Sequence, residues 1–139
     1  TGVQTCALPI CCSVNEIFKY GGEECFRDME TRLLKKLMNE QNSVIATGGG
    51  IVLREQNQVM LQKIGKRVYL KVPQAGLLQR LKNDRERPLL KEKNPESVLN
   101  KLFEERSLLY EQAECIMDTG HQSPQNIASE IIRQLCNEG

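Results

Sequence analysis

Three consecutive glycines, Gly48, Gly49 and Gly50, follow directly after a short apolar run at 44–47. Open parallel sheets bind ligands just beyond the carboxyl ends of their strands, which is where this triplet falls. Glycines leave backbone N–H groups uncovered, so a polar ligand can approach them closely. The triplet therefore indicates a binding turn, with a plain flexible turn as the alternative. It is not a dinucleotide fingerprint, because Leu53 stands where that motif needs its third glycine.

Two arginines are candidates for holding a carboxylate. Arg27 and Glu30 lie three residues apart in a helical pattern and so share one helix face. A neighbouring carboxylate can hold a guanidinium rigid for bidentate contact with a ligand, although a solvated surface pair is the alternative. Arg106 precedes the apolar pair Leu108 and Leu109, where it either binds a ligand or extends its charge to solvent.

Three further arginines lie in and beside the highly charged stretch 84–94, which we predict to be a mobile loop: Arg80, Arg85 and Arg87. An arginine on a loop that closes over phosphates can stabilise charge during their transfer. Pro88 restricts the backbone of Arg87 to extended geometry, which would aim its side chain reproducibly. A loop that only adds solubility is the alternative.

Short apolar strands alternate with amphipathic helices along the chain. This alternation predicts an α/β fold with a parallel sheet. Gly21 and Gly22 should interrupt the first helical stretch, and Asn94 and Ser123 should each cap a helix that begins with proline. The predicted strands are 44–47, 67–72 and 116–118, and the predicted helices are 14–20, 23–40, 55–63, 73–83, 95–113 and 123–136.

The composition limits the classes of function. With 139 residues, 40% of them hydrophobic, the chain suffices for one compact domain. A net charge of +1 argues against nucleic acid or a membrane surface as partner, and no apolar run reaches the ~20 residues of a membrane span. The six cysteines form no CxxC pair and there is one histidine, so we expect no zinc site and free thiols in a reducing cytoplasm rather than a disulfide framework.

Six segments appear in a fixed order: VNEIFKYGGEECFRDME, VIATGGGIVLR, RLKNDRERPLL, ERSLLYEQAE, IMDT and SPQNIASEII. Together they resemble the shikimate kinase family, and the resemblance covers roughly residues 13–135. The family belongs to the P-loop kinases of the nucleoside-monophosphate-kinase type, so the resemblance implies a three-layer αβα fold with a parallel sheet. It also implies a cytoplasmic, monomeric enzyme that transfers the γ-phosphoryl of ATP to the 3-hydroxyl of shikimate, towards chorismate and the aromatic amino acids.

The resemblance assigns roles in shikimate binding to residues of three segments. Arg27 and Arg106 should clamp the shikimate carboxylate, with Glu30 orienting the arginines. Gly48, Gly49 and Gly50 should meet the ring hydroxyls through backbone groups. These residues form the implied acceptor site.

The resemblance also assigns roles in nucleotide binding. Arg87 should be the catalytic arginine of a lid at about 84–94 and should reach the phosphates of ATP. Arg80 should lie against the adenine, and the turn after Asp118 and Thr119 should border the adenine pocket.

Several parts of the family pattern are not found in the 139 residues. The family's first two strands, its Walker A loop with Lys and Ser/Thr, and the Asp beside the reacting hydroxyl all precede the matched segments. The motif G-x-x-x-x-G-K-[ST] occurs nowhere in this sequence. We therefore expect a fragment that is inactive by itself and offers no ligand for the Mg²⁺ that the complete enzyme needs.

The first residues differ in character from the rest. TGVQTCALPI resembles a translated sequencing adapter, so we expect 1–12 to be a non-native or disordered start and 13–139 to form a single domain. An ordinary N-terminal strand is the alternative. In the family the first strand lies between those matching 44–47 and 67–72, so its absence should leave unpaired edges and an unstable chain unless 3–12 enter the gap.

Two other functions remain open at this point. One is a non-catalytic protein that lost its phosphate loop and kept the acceptor clamp. The other is a P-loop kinase for another small polar acceptor, such as gluconate. The pairing of Arg27 and Arg106 with the glycine triplet favours a cyclic carboxylate acceptor.

Overall fold

The structure is a computed structural model that describes residues 2–5, 13–73, 76–77 and 94–137. The chain divides into two compact units, Thr1–Gly65 and Lys66–Gly139.

The first unit contains a pair of parallel strands with helices following each strand. Its elements are β1 (Gly2–Thr5), α1 (Val14–Leu37), β2 (Ser43–Ala46), a 3-10 turn (Gly49–Leu53) and α2 (Glu55–Ile64). Gly2 pairs with Ser43 and Thr5 with Ala46, so β1 covers one edge of β2 along its full length. Strand β1 thus lies within residues 1–12, which we expected to be a non-native or disordered start.

Helix α1 begins with a capping box, in which the Ser13 side chain accepts from the backbone N–H of Glu16 and the Glu16 side chain accepts from the backbone N–H of Ser13. The predicted break at the glycine pair is confirmed as a kink at Gly22, whose φ of 70° and ψ of −178° lie outside helical geometry. Glycine adopts this positive φ without the steric penalty of a Cβ atom. Helix α1 ends at Leu37, three residues before the predicted end.

The core of the first unit joins three elements. Leu34 of α1, Ile51 of the 3-10 turn and Met60 of α2 are buried against one another, and Val52, Leu61 and Ile64 pack around them. Because Ile51 directly follows the glycine triplet, this core anchors the triplet between two helices.

The second unit repeats the parallel arrangement. Its elements are β3 (Val68–Lys71), α3 (Pro95–Tyr110), β4 (Cys115–Asp118) and α4 (Pro124–Asn137). Strands β3 and β4 are parallel, and Cys115 and Met117 are buried while Ile116 and Asp118 are exposed, as the period of a strand requires. Asn94 and Ser123 each accept a hydrogen bond from a backbone N–H three residues on, which confirms both predicted helix caps.

The predicted α/β alternation and the parallel strand pairing are confirmed. The 3-10 turn was not predicted, because its apolar residues were too few to show a period. Most of the predicted helix at 73–83 and the predicted lid at 84–94, with Arg80, Arg85 and Arg87, lie outside the described residues.

Among the helices that the structure describes, none combines the length and the apolar character needed to cross a membrane.

Candidate functional site

Arg27 and Glu30 form a buried ion pair on one face of α1. Nη1 of Arg27 lies 2.6 Å from Oε2 of Glu30, and each residue is only 8% exposed. A charge-assisted hydrogen bond of this length is strong and orients the guanidinium. The alternative of a solvated surface pair is therefore wrong for these two residues.

A second carboxylate, which the sequence reasoning did not select, holds the other edge of the same guanidinium. Oε1 of Glu23 lies 3.1 Å from Nη2 and 3.4 Å from Nε of Arg27. The Glu23 side chain is half exposed, whereas that of Glu30 is buried. The spacing of four residues from Glu23 to Arg27 was the signal in the sequence, since acid before base at this spacing favours a pair.

The guanidinium of Arg27 stays protonated in this environment. Burial acts to lower the pKa of the guanidinium, but the hydrogen bonds and the negative charges of Glu30 and Glu23 outweigh it and raise the pKa above its ordinary value. Arg27 is thus a permanent cation with both donor edges oriented.

The glycine turn lies directly against this cation. A Cβ atom built on Gly50 would be 2.2 Å from Nη1 and 2.6 Å from Cζ of Arg27, which is closer than atoms can approach. A Cβ on Gly48 would lie 3.5 Å from Oε1 of Glu30, an ordinary contact. The structure therefore brings Arg27, Glu30, Gly48 and Gly50 together, and Gly49 begins the 3-10 turn between the two outer glycines.

The ring of Phe26 lies beside Arg27, and the ring of Phe18 packs against that of Phe26. The ring centroids of Phe18 and Phe26 are 5.0 Å apart, across the kink at Gly22. Cζ of Arg27 lies 5.3 Å from the centroid of Phe26. These two rings are not linked in the sequence analysis, because the kink that brings them together has no periodic signal. They add an apolar surface beside the cation.

Arg54, directly after the 3-10 turn, connects this turn to α1. Its guanidinium contacts Glu24 and donates from Nη1 to Oδ1 of Asp28 at 2.7 Å. The hydrogen bond with Asp28, opposed by burial and aided by Glu24, raises the pKa of Arg54. The turn is thereby held to the helix that carries Arg27.

Arg106 belongs to the second unit, where it is half-buried on α3. Its Nε atom is buried and has no hydrogen-bond partner within the part of the chain that the structure describes. A buried donor without a partner is costly, and a bound anion would satisfy it.

The carboxyl ends of β3 and β4 form a compact turn. The backbone N–H of Thr119 donates to the carbonyl of Lys71 at 2.9 Å, and that of Gly120 donates to Oδ1 of Asp118 at 2.8 Å. A Cβ on Gly120 would lie 2.8 Å from Cγ of Pro73. The turn that we expect beside an adenine is thus tightly built.

No group of three or more His, Cys, Asp or Glu side chains within the described ranges could hold a metal ion. The described residues therefore do not by themselves form a Mg²⁺ site.

Comparisons with known proteins agree with one another. The family model described as shikimate kinase matches residues 9–136. A shikimate kinase of Xylella fastidiosa is 41% identical over 124 residues, covering 88% of this chain and 69% of the relative. A shikimate kinase of Thermodesulfovibrio yellowstonii is 39% identical over 121 residues, covering 87% of this chain and 70% of the relative.

A solved structure agrees with these relatives. The shikimate kinase of Acinetobacter baumannii in complex with shikimate has a TM-score of 0.87 and 34% identity, covering 91% of this chain and 72% of that one. The fold is thus that of the P-loop kinases of this type, as the sequence resemblance implied.

Proposed function

Because this chain belongs to the shikimate kinase family, a family of phosphotransferases, we propose that it carries the shikimate-binding part of an ATP-dependent shikimate kinase. The observation that supports this most is the buried guanidinium of Arg27, oriented by Glu30 and lying against Gly50. A fixed cation close to a turn in which Gly48 and Gly49 are exposed suits a small ring that carries a carboxylate and several hydroxyls.

Each residue of the site contributes a distinct interaction. Arg27 would donate to the shikimate carboxylate. Arg106 of the second unit is the other arginine that we assign to binding this carboxylate, and its buried Nε, which has no partner among the described residues, supports a role in binding an anion. Glu30 would keep Arg27 in place, and backbone groups of Gly48, Gly49 and Gly50 would meet the ring hydroxyls. The rings of Phe18 and Phe26 would pack against the carbon skeleton.

The nucleotide would be bound by other parts of the chain. ATP is the expected phosphoryl donor of the family, with Arg87 near its phosphates and Arg80 against its adenine. Mg²⁺, when bound in the complete enzyme, would neutralise charge on the phosphates. We place the enzyme in the cytoplasm, acting as a monomer.

Calorimetric titration of the 139-residue chain with shikimate tests the acceptor site. Arg27→Ala should weaken binding roughly 10–100-fold, since charge-assisted hydrogen bonds are lost. The matched control is Arg32→Ala, which removes an exposed arginine from the same helix and should change the Kd less than about twofold. Equal effects of the two variants, or no binding by the folded chain, would refute the proposal.

A kinase assay tests the phosphoryl transfer. The chain alone should not consume ATP with shikimate, because its sequence holds no Walker A motif. A chimera in which residues 1–12 are replaced by the preceding segment of the Xylella fastidiosa relative should be active. In that chimera Arg27→Ala should raise the KM for shikimate at least tenfold more than the KM for ATP. Equal increases in both would contradict the assignment of Arg27 to shikimate.

A further inference from the structure

We propose that Asn57 and Thr31 form a positioning bridge that sets the distance between the glycine turn and Arg27; this inference rests on the proposed function. Asn57, on α2, is 1% exposed, and Thr31, on α1, is 5% exposed. Buried polar side chains are nearly always hydrogen-bonded, and the bonds of this pair join α1 to the glycine turn.

The bridge runs from the turn to α1 through two short hydrogen bonds. Nδ2 of Asn57 donates to the carbonyl of Ile51 at 3.0 Å. Oδ1 of Asn57 accepts from Oγ1 of Thr31 at 2.9 Å. Ile51 is the residue directly after Gly50, so one end of the bridge holds the turn itself.

The other end of the bridge lies one helical turn from Arg27. Oγ1 of Thr31 is 3.0 Å from the carbonyl oxygen of Arg27 and 3.3 Å from Nη1 of Arg54, which donates to it. The hydroxyl has one hydrogen, which it gives either to Asn57 or to the carbonyl of Arg27. Giving it to Asn57 is the arrangement that links the two elements.

The glycine turn has little room to move towards the side chain of Arg27. The guanidinium of Arg27 occupies the space that a Cβ on Gly50 would take, so the turn and the side chain are already in close contact. A shift of the turn would therefore move its backbone groups relative to the guanidinium of Arg27. The bridge thus acts on binding through the position of the turn, without touching the ligand.

A double-mutant cycle on shikimate affinity tests the bridge in the 139-residue chain. Asn57→Ala and Thr31→Val should each raise the Kd about fivefold. The double variant should be no weaker than the weaker single variant, because both changes break one linkage. Thr31→Ser, which keeps the hydroxyl, should bind like the parent chain.

A control separates positioning from stability. Gln58 of α2 donates to the carbonyl of Val52 in the same turn at 2.8 Å, and among the described residues it makes no hydrogen bond to α1. Gln58→Ala should lower the Tm about as much as Thr31→Val yet change the Kd less than twofold. If the Kd instead follows the Tm in every variant, or if the two single effects multiply in the double variant, the bridge is refuted. Failure of the folded parent chain to bind shikimate would overturn the proposed function and this inference together, whereas an unchanged Kd in Asn57→Ala would overturn this inference alone.

Discussion

At the scale of single residues, the candidate site depends on the absence of a side chain at Gly50 as much as on the charged side chains around it. Gly50 has no positive φ, so its backbone alone does not demand glycine. The demand comes from Arg27, whose guanidinium fills the space beside it. The requirement is one of packing, because two groups cannot share the same volume.

Gly50→Ala should therefore displace the Arg27 guanidinium and weaken shikimate binding by about tenfold or more, as an oriented charge-assisted contact is lost. Gly48→Ala is the matched control, since its Cβ would make only an ordinary contact with Glu30 and its effect should be smaller. Titration calorimetry on both variants measures the difference. A larger loss in Gly48→Ala would contradict the packing argument.

Glu23 occupies the Nε and Nη2 edge of Arg27, which is the edge suited to bidentate contact with a carboxylate. A ligand carboxylate would have to displace this half-exposed side chain. Glu23→Gln removes the competing charge, and because exposed pairs contribute about 0.2–1 kcal/mol, the Kd for shikimate should fall roughly 1.4- to fivefold. Weaker binding in this variant would show that Glu23 supports Arg27 instead of competing for it.

At the scale of elements, the chain holds its strands and turns in place with a few ion pairs. In the second unit, Glu114 accepts from the backbone N–H of Arg67 at 2.7 Å and from Nη2 of the same residue at 2.8 Å. These contacts join the segments just before β3 and β4, so they set the start of the parallel pair.

The Arg67 pair should make stability depend on acid pH. The hydrogen bond from the Arg67 side chain, against some desolvation, lowers the pKa of Glu114 from 4.5 to about 2. The stabilisation is therefore complete above about pH 4.5 and is lost as the pH falls towards 2, since the unfolded chain takes up the proton first. After allowance for solvent screening we expect about 1 kcal/mol.

Urea unfolding of the parent chain and of Glu114→Gln between pH 6 and pH 2.5 measures this contribution. The two proteins should differ by that amount at the upper pH, and most of the difference should be lost at the lower one. Glu104→Gln, at an exposed position on α3, should track the parent chain. A constant difference across the range would rule out the pair as the origin.

At the scale of the whole molecule, each unit has its own parallel strand pair. In the first unit the partner of β2 is the four-residue strand β1, from a segment whose sequence we expected to be foreign to the domain. An uncovered strand edge promotes association between chains. The pairing of β1 thus covers an edge that would otherwise be available to another chain.

Deletion of residues 1–12 should therefore lower the Tm by several degrees and increase the fraction of oligomers, because the edge of β2 loses its partner. Size-exclusion chromatography with light scattering and a thermal scan measure the two effects. Deletion of the last two residues serves as the control. A deleted chain that stays monomeric with an unchanged Tm would show that β1 contributes nothing to the domain.

Much of this protein is determined by patterns that lie close together along the chain. The helix periods, the caps at Asn94 and Ser123, the break at the glycine pair and the shared face of Arg27 and Glu30 all follow from neighbours within about four residues. The alternation of strands and helices then requires parallel pairing, because a helical crossover returns the chain in the same direction.

Only the tertiary structure decided which distant residues meet. The contact of Gly50 with Arg27, the bridge from Thr31 to Asn57 across 26 residues and the pairing of β1 with β2 have no local signal. These contacts depend on the path that the chain takes between the partners and on the volume left in a close-packed interior. Spacing in the sequence places residues on a face, whereas packing determines what that face touches.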